Sequence, residues 1–270
     1  MAAETQYTAK TGIVQVSTAN PNLDGTTGAY SGTILTGATT GTLLKAVTVK
    51  ALVTTNQGMV RLFVTGGGNT RLLLEIPIEP MTINTTEGTD YTFEKRVELD
   101  FKLKNGYTVK ASTEAGNLMN VFIEALDWTY YSSSVRPEST NYTANTGMGQ
   151  LTLAQTTLDA PSTNVVTVLT APTSATGWNG TAVESITVKA VGTVTNGMVR
   201  IFINNGTTNY LFTEVFVEPI AQVGTFPTFN HKIMFPNKLQ LQADYFIKAT
   251  TQYGETINVI AESLDWKYPA

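Results

Sequence analysis

A set of short motifs occurs twice in this chain, in the same order. Tyr7-Thr-Ala-Lys-Thr-Gly12 returns as Tyr142-Thr-Ala-Asn-Thr-Gly147, and Thr48-Val-Lys-Ala51 returns as Thr187-Val-Lys-Ala190. Gly58-Met-Val-Arg61 returns as Gly197-Met-Val-Arg200. Glu75 and Glu79-Pro80 match Glu214 and Glu218-Pro219, Tyr107 and Lys110 match Tyr245 and Lys248, and Leu126-Asp127-Trp128 matches Leu264-Asp265-Trp266. The offset is 135 at the first motif, 139 in the middle and 138 at the end, a drift that small loop insertions explain. A repeated unit of about 130 residues is a whole domain, not one turn of a solenoid. The expected organisation is a first copy over 1–131, a linker over 132–141 and a second copy over 142–270. The linker, Ser132-Ser-Ser-Val-Arg-Pro-Glu-Ser-Thr-Asn141, is polar, contains Pro137 and has no apolar period.

Each copy reads as strands. Val47, Val49 and Ala51 alternate with Thr48 and Lys50, and Ile76 and Ile78 alternate with Glu75, Pro77 and Glu79. The 47 threonines of the 270 residues push the same way, because β-branched side chains fit a pleated sheet. Gly66-Gly-Gly-Asn69, Lys104-Asn-Gly106 and Asn204-Asn-Gly206 are turn sequences between apolar runs. Eight strands are expected in the first copy, near 12–17, 33–36, 43–53, 58–65, 70–79, 92–103, 106–113 and 119–128. Eight short strands in such a length give an all-β reading: two tandem antiparallel β-sandwich domains, jelly-roll-like. An immunoglobulin-like sandwich, which needs about seven strands, is the alternative.

Composition removes several kinds of chemistry. There is no Cys, so thiolate nucleophiles and cysteine-ligated zinc are out, and the single His231 leaves no second imidazole for a metal site. Seventeen basic against 21 acidic residues give a net charge of −4, against a phosphate-gripping role. No nucleic acid, membrane, metal or cofactor is expected. The opening Met-Ala-Ala-Glu-Thr-Gln lacks the basic and apolar segments of a secretory leader.

Among candidate sites, Arg61 faces Glu75 across the Gly66–Asn69 hairpin, with Glu79 on the same strand face, and Arg200, Glu214 and Glu218 repeat this. Acid–base work by the two carboxylates, or a cation site, is one reading. Four residues along a strand span about 13 Å, more than the carboxylate separation of glycosidases, so a cross-strand ion pair is preferred and no catalytic residue is assigned. Trp128 and Trp266 end the last strand of each copy and are read as closing the core, with a sugar-stacking platform as the other reading. His231 is read as an ordinary surface or strand residue, with a general base as the other reading. The stretches Asn20–Thr42 and Thr156–Thr181 are read as loops for partner contact or as short strands with long turns. Tyr30, Trp178 and Tyr210 are the possible partner or ligand contacts.

The unit built from Val49-Lys-Ala51, Gly58-Met-Val-Arg-Leu-Phe63, Glu75-Ile-Pro-Ile78, Gly106-Tyr-Thr-Val-Lys-Ala-Ser-Thr113 and Asn120-Val-Phe122 spans Val49 to Phe122 and again Val188 to Ile260. It resembles β-sandwich repeats in structural proteins of tailed bacteriophages, including auxiliary (decoration) capsid proteins of crAss-like phages. The two spans together make up a little over half of the chain. It implies a virion component on the capsid surface, assembled in the host cytoplasm, with the major capsid protein as partner and a homo-oligomer such as a trimer. It carries no catalytic residues. The alternative is a host- or carbohydrate-binding module of a phage head or tail fibre.

Overall fold

The structure, a computed structural model, describes residues 5–23, 30, 32–83, 91–130, 141–221 and 228–268. The expected linker lies outside the described residues, except for Asn141, which opens a strand. The chain separates into two compact units, Met1–Thr82 with Thr92–Arg136, and Ile83–Tyr91 with Pro137–Ala270.

The first unit contains β1 (Thr5–Val16), β2 (Thr33–Thr36), β3 (Thr42–Ala51), β4 (Gly58–Gly66), β5 (Asn69–Ile78), β6 (Glu94–Leu103), β7 (Thr108–Thr113) and β8 (Met119–Tyr130). The second contains β9 (Asn141–Leu151), β10 (Val166–Thr170), β11 (Gly180–Ala190), β12 (Gly197–Asn204), β13 (Asn209–Val217), β14 (Asn230–Leu241), β15 (Phe246–Thr251) and β16 (Ile257–Lys267). A single turn of 3-10 helix, Ser174–Thr176, is the one helical element among the described residues.

Strand order decides the fold. One sheet of the first unit runs β1-β8-β3-β6 and the other β2-β7-β4-β5. The second unit repeats both orders as β9-β16-β11-β14 and β10-β15-β12-β13. All of these pairings are antiparallel. The outermost strands of the sequence lie side by side and the inner ones pair across in turn, which is the wrapped double Greek key of a jelly roll. The immunoglobulin-like alternative is overturned by this order and by the eighth strand of each unit.

The core of the first unit sits between its two sheets. Val47, Val49, Val121 and Ile123 face Val60, Leu62, Val109 and Ala111 across it, all fully buried. Each of these Val, Leu and Ile side chains contributes about 1.5–3 kcal/mol on burial. The Gly66–Asn69 turn closes with Gly67 at φ 60 and Gly68 at φ 78, the left-handed pair that a two-residue hairpin requires. At the β6–β7 corner Tyr107 N donates to Lys104 O at 3.1 Å with Gly106 at φ 73. Its counterpart keeps the turn with Asp244 at φ 68, a conformation that Asp tolerates better than most side chains.

One strand runs further than its pattern indicates. β1 begins at Thr5, and its first half, Thr-Gln-Tyr-Thr-Ala-Lys-Thr, lacks apolar alternation. Among the described side chains of this half, only Ala9 and Thr11 are buried. Lys10 there donates to Thr36 O at 2.7 Å and to Asp127 at 2.9 Å instead of packing on apolar neighbours. The repeated motif beginning at Tyr7 lies in this extension, as does its copy in β9.

Candidate functional site

Each sandwich presents two outer faces, one per sheet, and the repeated polar residues gather there. On β4, Val60 and Leu62 point into the core, so Met59, Arg61 and Phe63 point out. Arg61 stands directly opposite Glu75 on β5, and its Nε donates to Glu75 Oε1 at 2.8 Å. A second donor nitrogen reaches Glu114 Oε1 at 3.2 Å. Burial works against the guanidinium charge, but the two carboxylates outweigh it and raise the Arg61 pKa. The second unit repeats the pair: Arg200 Nε donates to Glu214 Oε1 at 3.0 Å, and another nitrogen donates to Gln155 O at 3.2 Å. In both copies the arginine thus fixes a carboxylate of the same sheet. Among the described residues no group of three His, Asp or Glu could hold a metal ion.

Glu79 and Glu218 are exposed past the ends of β5 and β13 and do not join these pairs. The Glu79 backbone carbonyl accepts from Thr55 Oγ1 at 2.7 Å. Glu218 lies near Tyr91, which belongs to the second unit and packs on Phe216 with ring centroids 5.6 Å apart. Burial, then Glu218 and Glu214, push the Tyr91 hydroxyl pKa up.

The other outer face carries a charged device that sequence reading passed over. Arg96 of β6 reaches across β3 to Glu124 of β8, passing the small side chain of Ala46. In the second unit Lys232 of β14 reaches Glu262 of β16 at 2.9 Å, and Ser185 of β11, at the position of Ala46, donates to the same carboxylate at 2.8 Å. The signal was a cation, a small residue and a glutamate recurring at nearly the same offset. Their sequence separation hid it, because they come from three strands.

The repeated Asp-Trp pair is structural. Asp127 accepts from Lys10 and from the Thr42 hydroxyl; Asp265 accepts from Asn145 at 3.0 Å and Thr181 at 2.6 Å. Each aspartate ties the ends of three strands together. Trp128 does not enter the core, whose residues on β8 are Met119, Val121, Ile123 and Ala125. It alternates to the outer side and lies on Gly41, where any Cβ would overlap the indole ring. Trp266 is buried at the matching place, paired with Gly180.

The three aromatic contact candidates do not form one platform. Tyr30 stands edge-on to Phe63 with centroids 5.4 Å apart, and Lys110 lies over its ring at 5.7 Å, so it covers the outer face of β4. Trp178 has Lys267 over its ring at 5.1 Å, beside the end of β16. Tyr210 is on β13, in the other sheet of that unit, opposite Ile203. His231 is exposed on β14 opposite Val188. The described parts of the threonine-rich stretches contain β2 and β10; residues 24–29 and 31 lie outside the described residues.

No family model and no curated protein matches the sequence. Among solved structures, the chain is similar to a protein from a study of the triple jelly-roll fold and turret assembly of an archaeal virus. The TM-score is 0.29 at 11% identity, covering 98% of this chain and 60% of that one. A protein of Sulfolobus turreted icosahedral virus gives 0.31 at 11% identity, with 97% and 60% covered. PNGase F, a glycosylasparaginase of Flavobacterium meningosepticum, gives 0.26 at 11% identity, with 94% and 96% covered. The chain therefore spans 60% of the length of the two viral chains. The jelly-roll assignment stands on the strand order of this chain itself, twice over.

Proposed function

We propose that this chain is a non-enzymatic virion structural protein, an auxiliary or decoration protein bound to the outside of a bacteriophage capsid shell. The observation that carries the reading is the use made of the repeated charges. Arg61, Glu75, Arg200 and Glu214 are occupied with bracing their own sheets, which suits a rigid scaffold. The motif resemblance over Val49–Phe122 and Val188–Ile260 supplies the virion context. The partner is the major capsid protein, and two matched jelly rolls give one chain two similar faces with which to meet a repetitive shell.

Cryo-electron microscopy of the virion tests this. Ordered copies at capsomer centres or junctions are the expected result. Density confined to head or tail fibres would instead favour host or carbohydrate binding, and Trp178→Ala would then be the first variant to assay for lost saccharide response. Absence from purified particles overturns both.

A further inference from the structure

Each sheet ends in two edge strands, and an edge carries backbone groups that invite a further strand unless something blunts it. Most edges here are blunted. β1 carries Lys10, β5 carries Arg71, Glu75 and Pro77, and β13 carries Glu214. β6 is charged along its length, and β14 has Lys232, Pro236 and Lys238. β2 and β10 are only 4 and 5 residues long. The remaining edge, β9, is 11 residues long and contains neither a charged residue nor a proline. Its counterpart β1 differs from it within the repeated motif at one position, where Lys10 stands in place of Asn145. That lysine is the only charge of β1.

Burial shows which part of β9 is open. From Gly147 onward β10 lies against it: a Cβ on Gly147 would meet Val168 O at 2.2 Å, and one on Gly149 would meet Val166 Cγ1 at 2.9 Å. Before that point Asn141, Tyr142, Thr143, Ala144 and Thr146 are exposed, Tyr142 to 65%. Over this stretch β9 pairs with β16, from Asn141 opposite Lys267 to Thr146 opposite Glu262, and it is the last strand of its sheet. The backbone groups of every second residue therefore point away from the sheet. The open stretch has the length of an ordinary strand.

We propose that the Asn141–Thr146 edge pairs antiparallel with the same edge of a second copy of this chain, joining two β9-β16-β11-β14 sheets across a two-fold axis. The segment is complementary to itself. Side chains directly opposite each other share a face, so a two-fold axis normal to the sheet passes through one residue paired with itself. With Ala144 on the axis, Tyr142 stands opposite Thr146 on either side of it, an aromatic–β-branched pair, and Thr143 stands opposite Asn145. The residue that meets itself is small and uncharged, so nothing repels there. The same register is closed on β1, because Ala9 at the matching place is only 3% exposed. Each chain thus has one such edge, and the isologous contact closes at two chains. It does not depend on the virion reading.

Sedimentation velocity and native mass spectrometry of the full chain across the micromolar range are expected to show a dimer and nothing larger. Ala144→Lys sets two ammonium groups side by side at the axis and is expected to weaken the dimer by about 30-fold or more. The position is exposed, so an unchanged fold by circular dichroism is expected. Ala144→Cys is the closer test, because the chain has no cysteine of its own. Paired Cα atoms about 4.5–5.5 Å apart suit a disulfide. In a glutathione redox buffer this variant is expected to become a covalent dimer, and Thr207→Cys, exposed in the β12–β13 turn, is expected to stay uncrosslinked. A wild type that stays monomeric overturns the proposal. So does an Ala144→Lys variant that dimerises like wild type, or an Ala144→Cys variant that crosslinks no more than Thr207→Cys, because the dimer would then use another surface.

Discussion

Arg61 and Arg200 hold the same place in two copies of one fold, yet they stand in different surroundings. Both guanidinium groups are nearly out of water. Glu214 is buried with its arginine, whereas Glu75 is 40% exposed and shares Arg61 with Glu114. On the opposite sheets the contrast inverts. Glu124 is buried beneath Arg96, while Glu262 and Lys232 meet at the surface. A sheet position therefore sets which residues meet, and burial of the face sets how much their meeting is worth. An exposed pair gains little over hydrated charges, and a buried one becomes costly to break because the survivor is left uncompensated.

Glu214→Ala is the sharpest way to separate the copies. It leaves the Arg200 charge buried with only the Gln155 carbonyl for company, and about 3 kcal/mol or more of stability is expected to go. Glu75→Ala removes a half-exposed carboxylate and leaves Arg61 still paired with Glu114, and is expected to cost less, about 1 kcal/mol. Urea unfolding of the two variants compares them directly; equal midpoints would show that burial does not distinguish the pairs. Replacing Arg200 and Glu214 together with Met and Leu is expected to restore stability to wild type or above, because two apolar side chains need no counter-charge.

On the other sheets the ranking should reverse. Glu124→Gln is expected to cost about 1–3 kcal/mol, since Arg96 loses a buried charged acceptor and keeps only the exposed Glu98. The Arg96 pKa is raised because, although burial opposes its charge, Glu124 more than compensates. Glu262→Gln is expected to lower the unfolding midpoint at neutral pH less than Glu124→Gln does, because its pair with Lys232 is exposed. A larger loss at Glu262 than at Glu124 would contradict the burial assigned to the two faces.

The sheets were legible in the sequence because their inner faces alternate cleanly. Val47 and Val49, Val60 and Leu62, and Ile76 and Ile78 each mark a core side, and strand limits near the Gly66–Asn69 turn follow from glycines that only a tight hairpin needs. The cross-strand meeting of Arg61 with Glu75 was legible for the same reason, since hairpin register follows from the turn. What lies over the outer faces was not legible. Phe63 alternates to the side that pattern alone marks as polar, and it is fully buried because Tyr30, more than thirty residues earlier, lies against it. The placing of Trp128 also went unseen: core closure was expected, but the ring rests outside on Gly41, and nothing local in the Asp-Trp motif tells one side of a strand end from the other. Such contacts depend on connections between distant strands, for which periodicity carries no information.

The smallest expected effect is in acid. Glu262 has its pKa lowered, first by the hydrogen bond from Lys232, then by that from Ser185 and by the Lys232 charge. A carboxylate held below its unfolded value stabilises the fold fully above that value, about 4.3, and this contribution is lost as pH falls through the folded pKa. Ser185→Ala removes one of the donors and returns the serine to the alanine found at position 46 of the first copy. The Glu262 carboxyl, followed by NMR from pH 7 to pH 2, is expected to titrate at higher pH in that variant, with a slightly shallower loss of stability in acid. An unchanged titration would mean that Lys232 alone holds the carboxylate. The serine would then be incidental to the second copy, and the two sheets would differ only in how far water reaches them.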